Sequence, residues 1–188
     1  MALPKKERPT GLKKALFGDV PEAGGMPEEL VQLGRTYKGS ASFTTEADTV
    51  QDIYCEEEPA VPMESISSDP GIKQVKLNLA EFDNEALIAV FGGTEGEAED
   101  VTVDGKKYSV KRYKAPSDMV QIEKSVRIIT RNDNVIDIPR ALVTARFQWN
   151  LTSNDIAQIE ITAKILAPIG ASDAPYSIYK LGEPKVGA

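Results

Sequence analysis

Histidine is missing from this chain altogether, and cysteine and tryptophan occur once each, as Cys55 and Trp149. Without histidine, neither a Ser-His-Asp nor a Cys-His catalytic arrangement can be assembled. A zinc site is not expected from one cysteine and no histidine. A single cysteine also excludes an internal disulfide. Cys55 stands beside Glu56, Glu57 and Glu58, the opposite of the electropositive setting a reactive thiolate needs, so it reads as a packing residue. No apolar run approaches the length of a membrane-spanning helix, roughly 18 residues. No phosphate-cradling loop is present either. Gly92-Gly93-Thr94-Glu95-Gly96 follows a helical segment instead of opening one, and no GK[ST] occurs. Acidic runs such as Glu97-Ala98-Glu99-Asp100 read as solvated loops. Their oxygens would suit calcium or magnesium, but the stretch from Glu95 to Asp100 lacks a recognised loop spacing. No catalytic residue, metal or cofactor is therefore expected, and the chain reads as a non-enzyme.

What is present is enough for a real core. The chain has 188 residues, 41% of them hydrophobic. That length and composition suit a single domain. The opening MALPKKERPTGLKKALFG is basic, but it has no uninterrupted apolar core and no small-residue cleavage site, so no signal peptide is expected. Net charge is −7, with a pI near 4.8. That balance argues against tight, static binding to phosphate backbones. It leaves room for a surface past which nucleic acid slides without sticking.

The stretch from Met119 to Pro168 organises the rest. Val120, Ile122, Val126 and Ile128 alternate with Gln121, Glu123, Ser125 and Arg127. Val143, Ala145, Phe147, Trp149 and Leu151 alternate with Thr144, Arg146, Gln148 and Asn150. Ile159, Ile161, Ala163 and Ile165 alternate with Glu160, Thr162 and Lys164. Successive strand side chains point to opposite faces, so these runs predict a sheet with one apolar and one polar side. Asn132-Asp133-Asn134 and Thr152-Ser153-Asn154-Asp155 supply turns between them, which makes the sheet an antiparallel meander.

Upstream, residues 1–33 carry Pro4, Pro9, Pro21 and Pro27 with several glycines, a composition that predicts an extended arm. Leu12, Ala15, Leu16 and Phe17 have the spacing of a short amphipathic turn within it. From Gly34 to Tyr54 the pattern becomes strand-like, with Phe43, Val50, Ile53 and Tyr54 as core anchors. PAVPMESISSDPG, residues 59–71, holds three prolines and reads as a projecting loop. Ile72 to Leu79 is a strand, with Val75, Leu77 and Leu79 inward. A helix near 83–91 follows: Asp83 is its N-cap, Glu85 lies in its first turn, and Ala86, Leu87, Val90 and Phe91 form its apolar stripe. Gly92-Gly93 ends it. A helix this short needs docking, so its stripe should cover one face of the sheet. Val101 to Tyr113 is a hairpin around Asp104-Gly105. Beyond Pro168, residues 169–188 read as a second arm. The expected fold is mainly β: an antiparallel sandwich or barrel with one short α-helix, extended N- and C-terminal arms, and a central domain over 34–168. Its open strand edges call for pairing or blocking, and closing subunits into a ring removes them.

The order strand, acidic loop, strand, DNEALIAVFGG helix, hairpin, and then RFQWNLTSNDIAQIEITAKILAP resembles the major tail tube proteins of long-tailed bacteriophages. That family shares its β-barrel-plus-helix fold with the inner tubes of contractile injection systems. The resemblance covers roughly Gly34 to Pro168 and rests on the order of elements, not on an invariant motif. It implies a structural virion protein whose subunits self-assemble as homohexamer rings. The rings would stack into a tube that passes DNA without binding it specifically. Assembly would occur in the host cytoplasm, with a tape-measure protein, a tail terminator and baseplate or tip proteins as partners and no membrane. Mapped through the resemblance, Gln121, Glu123, Ser125, Arg127, Glu160, Thr162 and Lys164 are candidates for the lumen wall, the alternative being that some face outer solvent. Leu12, Leu16, Phe17, Glu57, Met63, Ile66, Tyr176 and Tyr179, in the arms and the long loop, are candidates for ring stacking. The net negative charge agrees with a conduit that repels the duplex. Competing readings are the inner tube of a contractile or secretion-type injection system and, in another class, a monomeric small-molecule-binding β-barrel.

Overall fold

A computed structural model of the chain describes residues 9–170 and 173–182. The elements run β1 (Leu12–Asp19), β2 (Ser42–Thr45), β3 (Thr49–Ile53), β4 (Glu64–Asp69), β5 (Lys73–Leu79) and α1 (Asn84–Phe91). Then come β6 (Thr94–Glu95), β7 (Glu99–Val103), β8 (Lys106–Val110), β9 (Tyr113–Lys114) and β10 (Ile122–Thr130). β11 (Asn134–Gln148), β12 (Gln158–Ile165) and β13 (Ser177–Lys180) complete the chain. The protein is mainly β, with antiparallel pairing and one helix among the described residues.

The main sheet has the order β1-β10-β11-β12-β5-β2, and β13 adds to β11. β10, β11 and β12 form the meander that the alternation predicts, in registers such as Val143–Ala163 and Thr144–Thr162. Ala15 and Phe17 of β1 share a core with Val75, Leu77 and Leu79 of β5, and Leu87 and Val90 of α1 pack into the same cluster. A flat sheet would hold β1 and β5 about 19 Å apart at ~4.8 Å per strand. A shared core therefore requires the sheet to curl, apolar side inward. Residues 31–36 span from β1 to β5 across the curl. Val31 bridges to Phe17 on β1, and Thr36 bridges to Leu79 on β5.

Local chemistry explains the elements. Asp83 caps α1, its Oδ1 accepting from the Ala86 backbone N–H at 2.8 Å. Gly92 ends the helix at φ 73°, a conformation that glycine takes without steric cost. Asp104 and Gly105, at φ 48° and 75°, form the left-handed two-residue turn between β7 and β8. Pro139 lies within β11, where an internal proline would remove a ladder hydrogen bond. β13 pairs with β11 only as far as Asp137, and β12 begins at Ala141. On the β10 side the register shifts across the same residues, between Lys124 and Val126. Pro139 thus occupies a stretch of β11 where the ladder is already interrupted.

Four expectations change. Leu12–Asp19, expected inside an N-terminal arm as a helical turn, is a strand of the main sheet, with Phe17 only 4% exposed. Ser177–Lys180, in the expected C-terminal arm, is β13. The projecting loop of residues 59–71 includes β4, which pairs with β3 as a hairpin. On that hairpin Val50, Ile53 and the adjoining Tyr54 are exposed and do not anchor the core, whereas Phe43 does pack against it. The outermost parts of both expected arms, residues 1–8 and 183–188, lie outside the described residues.

Candidate functional site

The polar side of the sheet carries cross-strand charge pairs. Arg140 donates through Nε and Nη2 to the two Glu123 oxygens at 2.6 and 3.0 Å. Arg146 donates from Nε and Nη2 to Glu160 Oε2 at 2.9 and 2.6 Å, joining β11 to β12. Arg127 meets Asp137 in a fork at 2.6 and 2.7 Å, and the Tyr179 hydroxyl donates to the same carboxylate at 2.9 Å. That last cluster ties β10, β11 and β13 together. Hydrogen bonding from Arg140 holds the Glu123 carboxyl below its ordinary range, against a smaller opposing effect of burial. The bond to Asp137 raises the Arg127 guanidinium. Burial first, and then the bond to Asp137, push the Tyr179 phenol up.

The seven lumen candidates divide in two. Glu160, Thr162 and Lys164 stand on the polar face of β12, accessible, beside Asn78, Lys76 and Gln74 of β5. Gln121, just before β10, is exposed and donates to Glu123 at 3.1 Å; on β10, Glu123 and Arg127 are half-buried in their ion pairs, and Ser125 is 0% exposed. Ser125 is opposite Gly18 in the register, and its hydroxyl donates to the Pro139 carbonyl at 2.6 Å. A Cβ built on Gly18 would lie 2.6 Å from the Glu29 carbonyl oxygen and 2.8 Å from Pro27. Residues 27–30 therefore cover the polar side at this point. Ser125 is on a covered surface, because a distant segment of the chain lies over it. Both carboxylates among the candidates, Glu123 and Glu160, are matched by an arginine, so these candidates carry no unpaired negative charge. The acidity concentrates elsewhere, for example at Glu56–Glu58.

The stacking candidates also divide. Leu12 and Phe17 pack with the core, Leu16 is half-buried on β1, and Tyr176 sets its ring edge-on to Phe43 at 5.5 Å. Tyr179 holds Asp137. Glu57, Met63 and Ile66 are exposed on the β3–β4 hairpin. Every residue of both hairpin strands is exposed, with Val50, Ile53 and Ile66 among them, and Val61 and Met63 exposed in the loop they frame. Cys55, expected to pack, is half-buried, and its thiol donates to Met63 Sδ at 3.1 Å. An isolated two-stranded hairpin is marginal in water, so this element lacks the packing that would hold it.

Sequence alternation did not reveal two further surfaces. One is an aromatic cluster at the end of β11, where Phe147 stacks on Phe91 at 4.7 Å and lies 6.1 Å from the exposed Trp149. The other is a cleft of about 630 Å³ along the sheet seam, bordered by Lys13, Lys14, Arg35, Lys38 and Arg131. An adjoining apolar cleft, lined by Leu12, Phe43, Val75 and Ile136, measures about 180 Å³. Among the described residues, no three or more Cys, Asp or Glu side chains gather where they could hold a metal ion, and no helix is long and apolar enough to cross a membrane. No protein-family model matches this chain, and no curated protein sequence matches it.

Proposed function

We propose that this chain is a non-enzymatic structural subunit that assembles with copies of itself into stacked rings, forming a tail-tube conduit. The observation that carries the reading is the β3–β4 hairpin. It presents Val50, Ile53, Val61, Met63 and Ile66 to solvent on an element too small to be stable alone. Exposed apolar residues grouped on a protruding element mark an interaction site. The curled half-polar sheet supports the same reading, since its outermost strands, β1 and β2, are paired on one side only along most of their length, the kind of feature that ring closure removes. Hexameric rings, passage of DNA, and tape-measure, terminator and tip partners belong to this proposal through the resemblance of the chain to tail tube proteins. The inner tube of a contractile or secretion-type injection system is the same architecture in another machine. The small-molecule barrel is less favoured. The larger cleft, of about 630 Å³, is bordered by lysines and arginines and not enclosed by apolar side chains, and the apolar one measures only about 180 Å³. Ligand pockets begin at roughly 300 Å³.

Light scattering coupled to size exclusion, over a concentration series, tests the proposal. Mass should rise in multiples of a ring as concentration rises. A variant with residues 50–67 replaced by a short Gly-Ser turn should keep its circular dichroism spectrum and stop growing beyond a single ring. Unaltered growth of that variant would refute the role given to the hairpin.

A further inference from the structure

The seam cleft is basic in a chain of net charge −7. Lys13 and Arg35 have acidic neighbours, Asp133 at 2.6 Å and Glu81 at 3.3 Å. Lys14, Lys38 and Arg131 form no ion pair among the described residues. A cleft walled by one sign of charge focuses the field and gathers ligands of the opposite sign. The described acidic groups differ in how far they are already satisfied. Glu95 and Glu99 are held by Lys111 and Arg112. Glu56, Glu57 and Glu58, consecutive and exposed near the turn of the β3–β4 hairpin, have no cationic partner among the described residues.

The acidic tip and the basic cleft are separate surfaces of the chain: no residue of β3, β4 or the turn between them lines the cleft. The hairpin is rooted beside the Lys73 end of β5, where Glu46 N–H donates to the Ile72 carbonyl and Gly71 N–H to Asp48. The cleft lies along the seam between the Leu12 end of β1 and residues 35–41. A patch that complements a different patch of the same chain makes a head-to-tail contact, which repeats from copy to copy and forms a ring or an open stack according to the rotation between copies.

We propose that this basic seam cleft is the acceptor for the acidic hairpin tip of a second copy of the chain, with Lys14, Lys38 and Arg131 receiving Glu56–Glu58. The pairing rests on the self-assembly reading above and names its donor and acceptor. It also accounts for how a hairpin without packing of its own is held.

The test uses full-length protein. Equal amounts of ¹⁴N- and ¹⁵N-labelled chains are mixed, treated with a zero-length carbodiimide and digested for mass spectrometry. Mixed-isotope crosslinks between Glu56–Glu58 and Lys14 or Lys38 are expected, fading as salt is raised through the range where the Debye length falls from ~10 to ~3 Å. Two charge-reversed proteins follow: Lys14→Glu/Lys38→Glu/Arg131→Glu, and Glu56→Lys/Glu57→Lys/Glu58→Lys. Each alone should raise the concentration for half-maximal assembly at least tenfold, and a mixture of the two should restore it. Crosslinks within one isotope only, crosslinks elsewhere, or unaltered assembly of both reversed proteins would overturn the pairing. Tube growth with crosslinks elsewhere sinks the cleft assignment and leaves the tube reading standing. Tip-to-cleft crosslinks without rings or tubes do the reverse.

Discussion

Replacing Arg127 with methionine probes the join of β10, β11 and β13 most sharply. The Asp137 side chain is 8% exposed and that of Arg127 29% exposed, so the carboxylate is the buried partner. Removing the guanidinium leaves Asp137 with the Tyr179 hydroxyl as its remaining side-chain donor. Breaking a fully buried pair costs about 3–5 kcal/mol, and the partial exposure of Arg127 reduces the expected loss to about 2–4 kcal/mol. Asp137→Asn leaves a guanidinium that water can reach, and should cost less, about 1–2 kcal/mol. Tyr179→Phe removes one neutral donor and should cost about 0.5–1.5 kcal/mol. The double variant Arg127→Met/Asp137→Asn should be less destabilised than the sum of its parts by about 1 kcal/mol or more, because the two side chains share one interaction. In a chain of this size about 1 kcal/mol moves the melting temperature by roughly 2–4 °C, so Arg127→Met should melt about 4–16 °C lower in calorimetry at pH 7. A loss under about 0.5 kcal/mol for Arg127→Met, or a larger loss for Tyr179→Phe, would refute the reasoning, since the cost rests on stranding a buried carboxylate.

Three further outcomes follow from the same structure. Ile161→Pro should abolish folding, because β12 is paired on both sides and proline cannot supply its N–H; a soluble protein with a native circular dichroism spectrum would contradict the strand assignment. Glu123 has its folded pKa depressed by Arg140, so its contribution is full above the ordinary value of 4.5 and is lost as pH falls through the lower folded value. The stability gap between wild type and Glu123→Gln, measured by urea unfolding, should therefore be constant at neutral pH and shrink in acid, and a gap that widened in acid would reverse the sign. Gly18→Val places side-chain atoms where the Glu29 carbonyl and Pro27 now sit. It should cost about 1–3 kcal/mol and raise hydrogen exchange over the segment 27–31; unaltered exchange would show that the segment does not lie there.

The alternation of Ile159, Ile161 and Ala163 with Glu160 and Thr162 gave away β12, and Asp83 with Gly92 marked both ends of α1, because these signals are local. β1 hid because Leu12, Ala15 and Leu16 have helical spacing, and only pairing with β10 makes LKKALFGD a strand. β4 hid among Pro59, Pro62 and Pro70, with Ile66 as its one apolar residue. The polar parity of Ser125 was legible, but its burial was not, because the cover comes from residues 27–30. The basic cleft was illegible for the same reason. Lys14, Lys38 and Arg131 come from three separate segments, and the curl of the sheet is what brings them to one seam.

Self-assembly is the central claim, and negative-stain electron microscopy of the purified chain over a concentration series tests it most directly. Hollow rings at low concentration and tubes of constant diameter at high concentration are the predicted result. A population that stays monomeric up to the highest soluble concentration, and remains so when seeded with preformed ends, would contradict it.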